Sequence, residues 1–187
     1  VQHPRKTSIT LMWETRLPVR GTVRYAPDGK ADGQKIVVAD KPQMIHRITL
    51  TGLAPETRYT YAVQDAVGRW HPGTFRTAGP ANRPFTFLVY GDCRSNFDRH
   101  RSVVEAMLTE HAAFAVNTGD FVEDGAKPKL WRYFFRAEQP LLRHLAMYPV
   151  LGNHELKGSW NRGIAAVRRH FAVPLNGPQP GITYSFT

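Results

Sequence analysis

Cysteine is almost absent from this sequence of 187 residues, in which Cys93 is the single example. An intrachain disulfide is therefore excluded, and with it the class of small disulfide-stabilised scaffolds. Long hydrophobic runs are also missing, because no apolar stretch approaches the roughly 18 residues that a membrane-spanning helix needs. No signal-peptide pattern follows Val1. The sequence thus predicts no membrane span, and its 42% hydrophobic residues suffice for a packed core.

Acidic residues are outnumbered, with 15 Asp and Glu against 25 Lys and Arg and a pI of about 10.1. This balance favours anionic partners such as phosphates, nucleic acids or an acidic cell-envelope surface, although a solvated basic surface has the same composition. The basic residues are dispersed, and no run of them is longer than two, as in Arg168-Arg169. No Lys/Arg-rich tract with interleaved aromatic residues is present, so we predict no specific nucleic-acid binding. Association with the cell envelope stays open.

Residues 1–78 carry the pattern of an all-β domain. Ile9, Leu11 and Trp13 alternate onto one face, which is the period of a half-buried strand. Further short strand patterns follow with turn signals between them and no helical pattern among them. This arrangement predicts a β-sandwich. The segment 79–84 is small, polar and proline-rich, and it is interpreted as a linker.

The pattern changes in residues 85–187. Segment 85–90 is a nearly continuous apolar run, as expected for a strand that is buried on both faces. Segments 113–116 and 148–151 also have strand character, whereas apolar residues recur at helical spacing over 99–111. Strands that alternate with helices predict a parallel sheet with crossover connections, and hence an α/β fold.

Each of the three apolar strands ends at a glycine that is followed by an oxygen-bearing side chain. In open parallel sheets, ligands bind beyond the carboxyl ends of the strands, so these side chains should converge. Two carboxylates and an amide in one cleft need a counter-charge, and divalent cations are suited to it. A single pair of this kind carries little weight, because such pairs are common in ordinary turns and helix caps. The three sequences are Gly91-Asp92, Gly119-Asp120 and Gly152-Asn153-His154-Glu155.

These three blocks, with Gly125 downstream of the second, resemble the first three blocks of calcineurin-like metallophosphoesterases. The segment 53–59, Leu-Ala-Pro-Glu-Thr-Arg-Tyr, resembles a corner of fibronectin type III modules in which the tyrosine hydroxyl bonds back to the backbone. A fibronectin-type module in front resembles the layout of purple acid phosphatases and their bacterial relatives. The resemblance implies a fibronectin III-like sandwich over 1–78 and the first half of an αββα metallophosphoesterase domain over 85–187.

The resemblance also implies the chemistry, which is hydrolysis of phosphate esters by a metal-bound hydroxide at a binuclear centre. Asp92 would hold one ion, Asp120 would bridge both ions, and Asn153 would bind the second. The cofactors would be two divalent or trivalent metal ions, Mn, Zn or Fe. His154 would be catalytic, as a general acid or as a charge partner for the phosphate. Monoester, diester, nucleotide and phospholipid substrates all stay open.

Several residues depart from the family pattern. Arg94 stands where a His or Gly is usual. Because a guanidinium cannot bind a cation, we predict that Arg94 binds the substrate phosphate through two hydrogen bonds. The alternative is a salt bridge between Arg94 and a neighbouring carboxylate. Glu123 stands where purple acid phosphatases have a tyrosine, which predicts that the purple colour is absent. His100 is expected to be a solvated residue on a helix face, and whether it replaces a missing ligand is open. Cys93 is expected to be a small buried residue.

The family takes three further histidine ligands from two later blocks, which would lie beyond Thr187. The chain is therefore expected to be a fragment that by itself is inactive or nearly so. The resemblance implies a secreted or periplasmic protein. The alternative function is a non-catalytic protein on the same scaffold that binds phosphate or the cell envelope.

Overall fold

The computed structural model describes residues 1–30 and 32–186 and divides the chain into two compact units. The first unit comprises Val1–Arg83, and the second begins at Pro84. The first unit is an antiparallel β-sandwich and the second is an α/β region, so the fold class predicted from the sequence is confirmed. None of the helices within the described ranges is long and apolar enough to cross a membrane.

The sheet of the first unit has the strand order β2-β1-β3-β4, and every neighbouring pair is antiparallel. The pairing of β1 with β2 shifts register after Glu14 and again after Arg20. Irregularities of this kind bend a strand and increase its twist, which suits two long strands to a curved sandwich. The strands are β1 (Ser8–Pro27), β2 (Lys35–Thr51), β3 (Arg58–Gln64) and β4 (Trp70–Arg76).

The alternation at the start of β1 places its apolar side chains in the core of the sandwich. Ile9 and Leu11 are fully buried. Trp13, the next residue in the alternation, is half-buried and stacks on His46 with 4.6 Å between the ring centroids. Its indole N–H donates to the carbonyl oxygen of Gln64 at 3.2 Å. The tryptophan therefore contributes apolar area while its polar edge is satisfied by the backbone.

The turn before β3 is closed by a hydrogen bond that the sequence predicted. The backbone N–H of Ala54 donates to the Tyr59 hydroxyl oxygen at 2.9 Å. Tyr59 is buried, and its ring stacks on Phe75 with 5.1 Å between the centroids. The same side chain thus fills the core and satisfies a backbone donor of the turn.

The second unit contains a parallel sheet with the strand order β5-β6-β7, and this confirms the predicted alternation of strands and crossover helices. Each crossover carries one helix, and two more helices follow the last strand. The strands are β5 (Leu88–Tyr90), β6 (Ala115–Asn117) and β7 (Met147–Pro149). The helices are α1 (Phe97–Met107), α2 (Pro128–Leu142), α3 (Asn153–Leu156) and α4 (Trp160–His170).

Side-chain caps mark the start of two helices of this unit, α1 and α4. The Asn96 side chain accepts a hydrogen bond from the Arg99 N–H at 3.1 Å at the start of α1. Ser159 accepts from the Arg162 N–H at 3.4 Å at the start of α4. Pro128 stands in the first turn of α2. Backbone N–H groups in the first turn have no acceptor within the helix, so the lack of an N–H in proline costs no hydrogen bond there. The cap of α1 also fixes the length of the loop that follows β5.

An aromatic core forms where α2 and α4 pack against the loop after β6. Phe121 packs edge-on against Phe134 with 5.3 Å between the centroids, and it lies 5.8 Å from the Trp131 ring. Edge-to-face contacts of this kind add to the free energy that burial of the rings already contributes. The buried members of the core are Phe121, Val122, Trp131, Phe134, Met147, Val167 and Phe171.

The prediction that segment 85–90 is a strand buried on both faces is wrong for the part of the chain that the structure describes. The strand itself covers only three residues, and Phe87 and Val89 are 48% and 58% exposed. Side chains alternate across a strand, so one set can be covered while the other is open. Within residues 1–30 and 32–186, no layer covers this second set.

Candidate functional site

The loops after β5, β6 and β7 leave the same edge of the parallel sheet and stay paired beyond the strands. The Asp92 N–H donates to the Gly119 carbonyl oxygen at 3.0 Å, which joins the first loop to the second. The Val150 N–H donates to the Asn117 carbonyl oxygen at 2.8 Å, which joins the third loop to β6. The three loops therefore lie side by side, at the edge where open parallel sheets bind ligands.

Glycine at two strand ends allows these loops to touch. Gly119 has a φ of +105°, and a Cβ added to it would lie 2.5 Å from the Gly152 backbone nitrogen. A Cβ added to Gly152 would overlap the Asp120 carboxylate. Asp92 and Asp120 themselves adopt left-handed backbone conformations, each with a φ of +56°. Such conformations of non-glycine residues are uncommon and cluster at functional sites.

Glu155 links the second and third loops through hydrogen bonds to their backbones. Its buried carboxylate accepts three backbone N–H groups, from Asp120 at 2.8 Å, Gly152 at 2.9 Å and Val122 at 3.2 Å. In the sequence, Glu155 stood out only as the last residue of its block, and this role was missed. The signal was its spacing, because a Glu three residues after a helix N-cap often reaches back to the backbone of that cap.

Asp92 and Asp120 meet at one nitrogen atom of Arg94. The Arg94 Nη1 donates to Asp92 Oδ1 at 2.8 Å and to Asp120 Oδ2 at 3.1 Å. The Asp92 side chain is 77% exposed, whereas that of Asp120 is 12% exposed. Two carboxylates from different loops thus share one cationic partner. This agrees with the alternative prediction for Arg94, a salt bridge to a neighbouring carboxylate. The predicted contact of Arg94 with a substrate phosphate stays a prediction.

Asn153 occupies the first position of α3, next to the paired carboxylates. Gly152 before it packs on Asp120, and the N–H of His154 after it donates to Asp120 Oδ1 at 3.1 Å. The Asn153 side chain is exposed, and it makes no hydrogen bond to any residue in 1–30 or 32–186. Its amide is therefore available as a ligand at the edge of this site.

The His154 ring is oriented by Glu123. Its Nδ1 lies 3.0 Å from the Glu123 carbonyl oxygen and 3.4 Å from the Glu123 Oε2. The Glu123 carboxylate also pairs with Lys157 at 2.8 Å and with Arg94 at 3.3 Å. The hydrogen bond from Lys157, with the charges of His154 and Arg94, lowers the pKa of Glu123 below its ordinary value. An anionic Glu123 favours the proton on Nδ1 and leaves the Nε2 edge of the ring for another partner.

The donor set at these loops suits a divalent cation. Two carboxylates and an amide are oxygen ligands of the kind that hard and borderline cations accept. The two carboxylates already converge on a positive charge, since both accept from Arg94. Asp120 presents its two oxygens to different neighbours, one to His154 and one to Arg94. Asp92, Asp120 and Asn153 are therefore fit to hold metal ions.

The prediction that His100 is a solvated helix residue is wrong. His100 is buried, because it shares one face of α1 with Val104 and Met107 and this face packs on α2. Its Nε2 lies 2.6 Å from the Oε1 of the fully buried Glu138. The spacing from His100 to Val104 and Met107 is the helical repeat of a buried face, and this spacing is the sequence signal for the burial of His100.

Cys93 lies beside this pair rather than at the carboxylate site. Ligand atoms of Cys93, His100 and Glu138 lie within 4.8 Å of one another. Cys93 is half-buried, and burial together with the Glu138 carboxylate raises the pKa of its thiol to about 12. The structure thus groups His100 with two residues that the sequence did not connect to it.

Comparison with protein families supports two assignments along the chain. Residues 1–77 match the model described as purple acid phosphatase, N-terminal domain. Residues 85–182, more than half of the chain, match the model described as calcineurin-like phosphoesterase. The family resemblance that the sequence blocks indicated is thereby confirmed.

Two individual proteins illustrate what the chain is similar to. An uncharacterized protein of Mycobacterium tuberculosis is 29% identical over 166 residues, which cover 76% of this chain and 31% of that protein. Human acid phosphatase type 7 is 25% identical over 202 residues, which cover 96% of this chain and 43% of that protein. The chain thus spans less than half the length of these relatives.

Two solved structures share the fold. A purple acid phosphatase from yellow lupin (Lupinus luteus) seeds superposes with a TM-score of 0.75 at 16% identity, covering 94% of this chain and 40% of that one. PhoD superposes with a TM-score of 0.69 at 12% identity, covering all of this chain and 48% of that one. At such low identity these likenesses establish the architecture alone.

Proposed function

The chain belongs to the calcineurin-like phosphoesterase family, and on that basis we propose that the protein is a metal-dependent phosphohydrolase with a binuclear centre. The family implies phosphate esters as substrates and a dinuclear metal centre as cofactor. We assign Asp92 to one ion, Asn153 to the other and Asp120 to both. The ions are Mn, Zn or Fe. The protein is secreted or periplasmic by analogy with the modules it resembles.

One observation carries this proposal, namely that Asp92 and Asp120 converge on a single nitrogen of Arg94. Carboxylates that the fold brings close together repel each other unless a positive charge lies between them. Packing alone does not require acidic residues at two adjacent strand ends. A site that concentrates negative charge at the edge of a parallel sheet is suited to cations and, through them, to phosphate.

When bound, the two cations acidify a shared water and offset the charge of the phosphoryl oxygens. Asp120 is suited to the bridging position because its two oxygens point to different neighbours, the His154 N–H and Arg94. Asp92 contributes an exposed carboxylate on one side, and Asn153 contributes a neutral amide on the other. A neutral ligand on one side keeps the total negative charge low enough for an anionic substrate to approach.

Arg94 binds the substrate phosphate in this proposal. Its guanidinium carries a permanent charge and presents donors in a planar fork that matches two phosphate oxygens. It is 30% exposed, so it is held by its neighbours yet accessible. Its pairing with Asp92, Asp120 and Glu123 keeps it at the mouth of the site before substrate arrives.

His154 contacts the leaving group in this proposal, because it follows a metal ligand directly along the chain. Contacts of Nδ1 with Glu123 orient the ring, and the protonated ring can then donate its Nε2 proton to the departing oxygen, which leaves a neutral ring with its remaining proton on Nδ1. Glu123 is thus a positioning residue rather than a catalytic one. The arrangement of a carboxylate, an imidazole and a reacting oxygen requires a fixed tautomer of the ring.

We expect Glu123→Gln to lower kcat by about tenfold with little change in KM. A tenfold loss is the lower end of the range of activity losses seen when a carboxylate that orients a histidine is removed. The carbonyl contact to Nδ1 remains, so the loss is partial. The measurement is steady-state hydrolysis of p-nitrophenyl phosphate. Glu105→Gln is the control, since Glu105 is an exposed carboxylate paired with Arg101 on α1. Equal kcat values for both variants would contradict the orienting role.

The proposed function is tested on the natural protein that contains these residues. We expect it to hydrolyse p-nitrophenyl phosphate or bis-p-nitrophenyl phosphate, to lose activity on chelation and to regain it with added Mn. The ratio of the two rates sorts a monoesterase from a diesterase. A metal-loaded, folded protein that binds inorganic phosphate without turning over either ester would overturn the proposal and favour the non-catalytic alternative.

A further inference from the structure

A second group of ligand-type side chains lies between α1, α2 and the loop after β5. Cys93 comes from the loop, His100 from α1 and Glu138 from α2. One atom of each, a sulfur, a ring nitrogen and a carboxylate oxygen, lies within 4.8 Å of the other two. This group shares no residue with the site of Asp92, Asp120 and Asn153 described above.

Glu138 is the least expected residue of the group, because it is a fully buried carboxylate in an apolar helix face. Its Oε1 accepts from the Tyr90 hydroxyl at 2.8 Å and lies 2.6 Å from the His100 Nε2. Its Oε2 is also buried but makes no hydrogen bond to any residue in the described part of the chain. Buried carboxylate oxygens are nearly always paired, and an unpaired one is costly. The Oε2 atom therefore points to a ligand.

We propose that Cys93, His100 and Glu138 bind one divalent cation of the zinc type. Zinc accepts sulfur, imidazole nitrogen and carboxylate oxygen, and three protein ligands with one open position are a common arrangement. A thiolate, a carboxylate and a neutral imidazole balance the charge of a divalent ion, so the buried complex is neutral. Burial of a neutral complex avoids the desolvation penalty of an unpaired buried charge.

Small movements suffice to form this site. Ligand atoms at about 2.0–2.1 Å from a tetrahedral zinc ion are roughly 3.3 Å apart. The 2.6 Å separation of His100 Nε2 and Glu138 Oε1 must therefore widen by less than about 1 Å, and the Cys93 sulfur, which lies within 4.8 Å of the other two ligand atoms, must approach them by at most roughly 1.3 Å. Coordination deprotonates a cysteine thiol outright, so the neutral thiol of the metal-free protein is no obstacle.

Two of the three proposed ligands also line a cavity. Cys93 and His100 line a cavity of about 450 Å³, together with Tyr133 and Arg136 of α2. A water molecule or an exogenous ligand can reach the ion from there. The bound ion would join the loop after β5 to both helices and so hold Asp92, the neighbour of Cys93, in place. The proposal does not depend on phosphohydrolase activity.

Cobalt(II) is the probe, because a thiolate ligand to cobalt produces an intense near-ultraviolet charge-transfer band that oxygen ligands do not. We expect the metal-free protein to develop this band on titration with cobalt and to reach an intensity that corresponds to one thiolate-bound ion per chain, whatever further cobalt binds at the carboxylate site. Zinc should abolish the band by displacement. Absence of the band in folded protein would overturn the proposal.

Variants assign the ligands. Cys93→Ser should remove the band, whereas His100→Gln and Glu138→Gln should weaken cobalt binding at least tenfold. Glu138→Gln keeps the side-chain volume, so it reports on coordination even if a larger change unfolds the unit. Asn153→Ala is the control and should leave the band unchanged, because Asn153 is exposed and belongs to the other site. A band that persists in Cys93→Ser would contradict the assignment.

Discussion

Asp120→Asn should lower kcat/KM for phosphate-ester hydrolysis at least about a hundredfold, which corresponds to roughly 3 kcal/mol of transition-state stabilisation. Asparagine has the same size, and its carbonyl oxygen can still accept from the His154 N–H at the position of Oδ1. The backbone of the loop should therefore survive the change. What is lost is the negative charge and the second oxygen that a bridging ligand needs.

The measurement combines kinetics with metal content. We expect the natural protein carrying Asp120→Asn to retain its circular dichroism spectrum while it binds fewer metal ions. Asp124→Asn is the matched control, because Asp124 lies in the same loop but pairs with Lys127 and the Ala126 N–H. Unchanged turnover in Asp120→Asn would end the bridging assignment, whatever the metal content.

Glu155→Ala should destabilise the second unit by about 3–5 kcal/mol, since it leaves three backbone donors without their acceptor and removes a buried side chain. The three N–H groups belong to Asp120, Val122 and Gly152, so the damage falls on the loops that carry the proposed ligands. Metal affinity should fall with stability, because the unfolded loops do not hold the ligands together.

Hydrogen exchange provides the sharpest readout for this variant. The amides of Asp120, Val122 and Gly152 should lose protection first, while amides of the first unit keep theirs. Glu155→Gln is a second variant, which leaves no cavity because glutamine has the same size as glutamate. Its amide NH2 group replaces an accepting oxygen, so two N–H donors face backbone N–H groups, which are also donors. We expect it to lose about half as much stability as the alanine variant. Wild-type protection of all three amides in both variants would show that Glu155 is not the link between the loops.

The proposed metal ligands illustrate why part of this site was accessible from the sequence. Asp92, Asp120 and Asn153 each follow a strand pattern and a glycine, and parallel strands end at the same edge of their sheet. The carboxylates of Asp92 and Asp120 meet at Arg94 because both follow strands that end at this edge, and that placement does not depend on the rest of the domain.

Other residues owe their roles to contacts across long stretches of chain. Glu155 and Asp120 meet through the pairing of β6 with β7, so the acceptor role of Glu155 was missed. His100 was assigned to solvent, yet the packing of α1 on α2 places it against Glu138. The face of β5 that includes Val89 was assigned to the core, yet Val89 is exposed. Apolar character alone does not determine whether a second layer of structure covers a strand.

The amino-acid pattern was sufficient for the two fold classes, the order of the elements and the edge of the sheet where charged residues gather. These features follow from local preferences and from side-chain periodicity, which act within a few residues. Which carboxylate accepts which proton, and which histidine is buried, depends on how α1, α2 and the strand-end loops pack. That packing joins groups tens of residues apart, and its geometry exists only once the chain has folded.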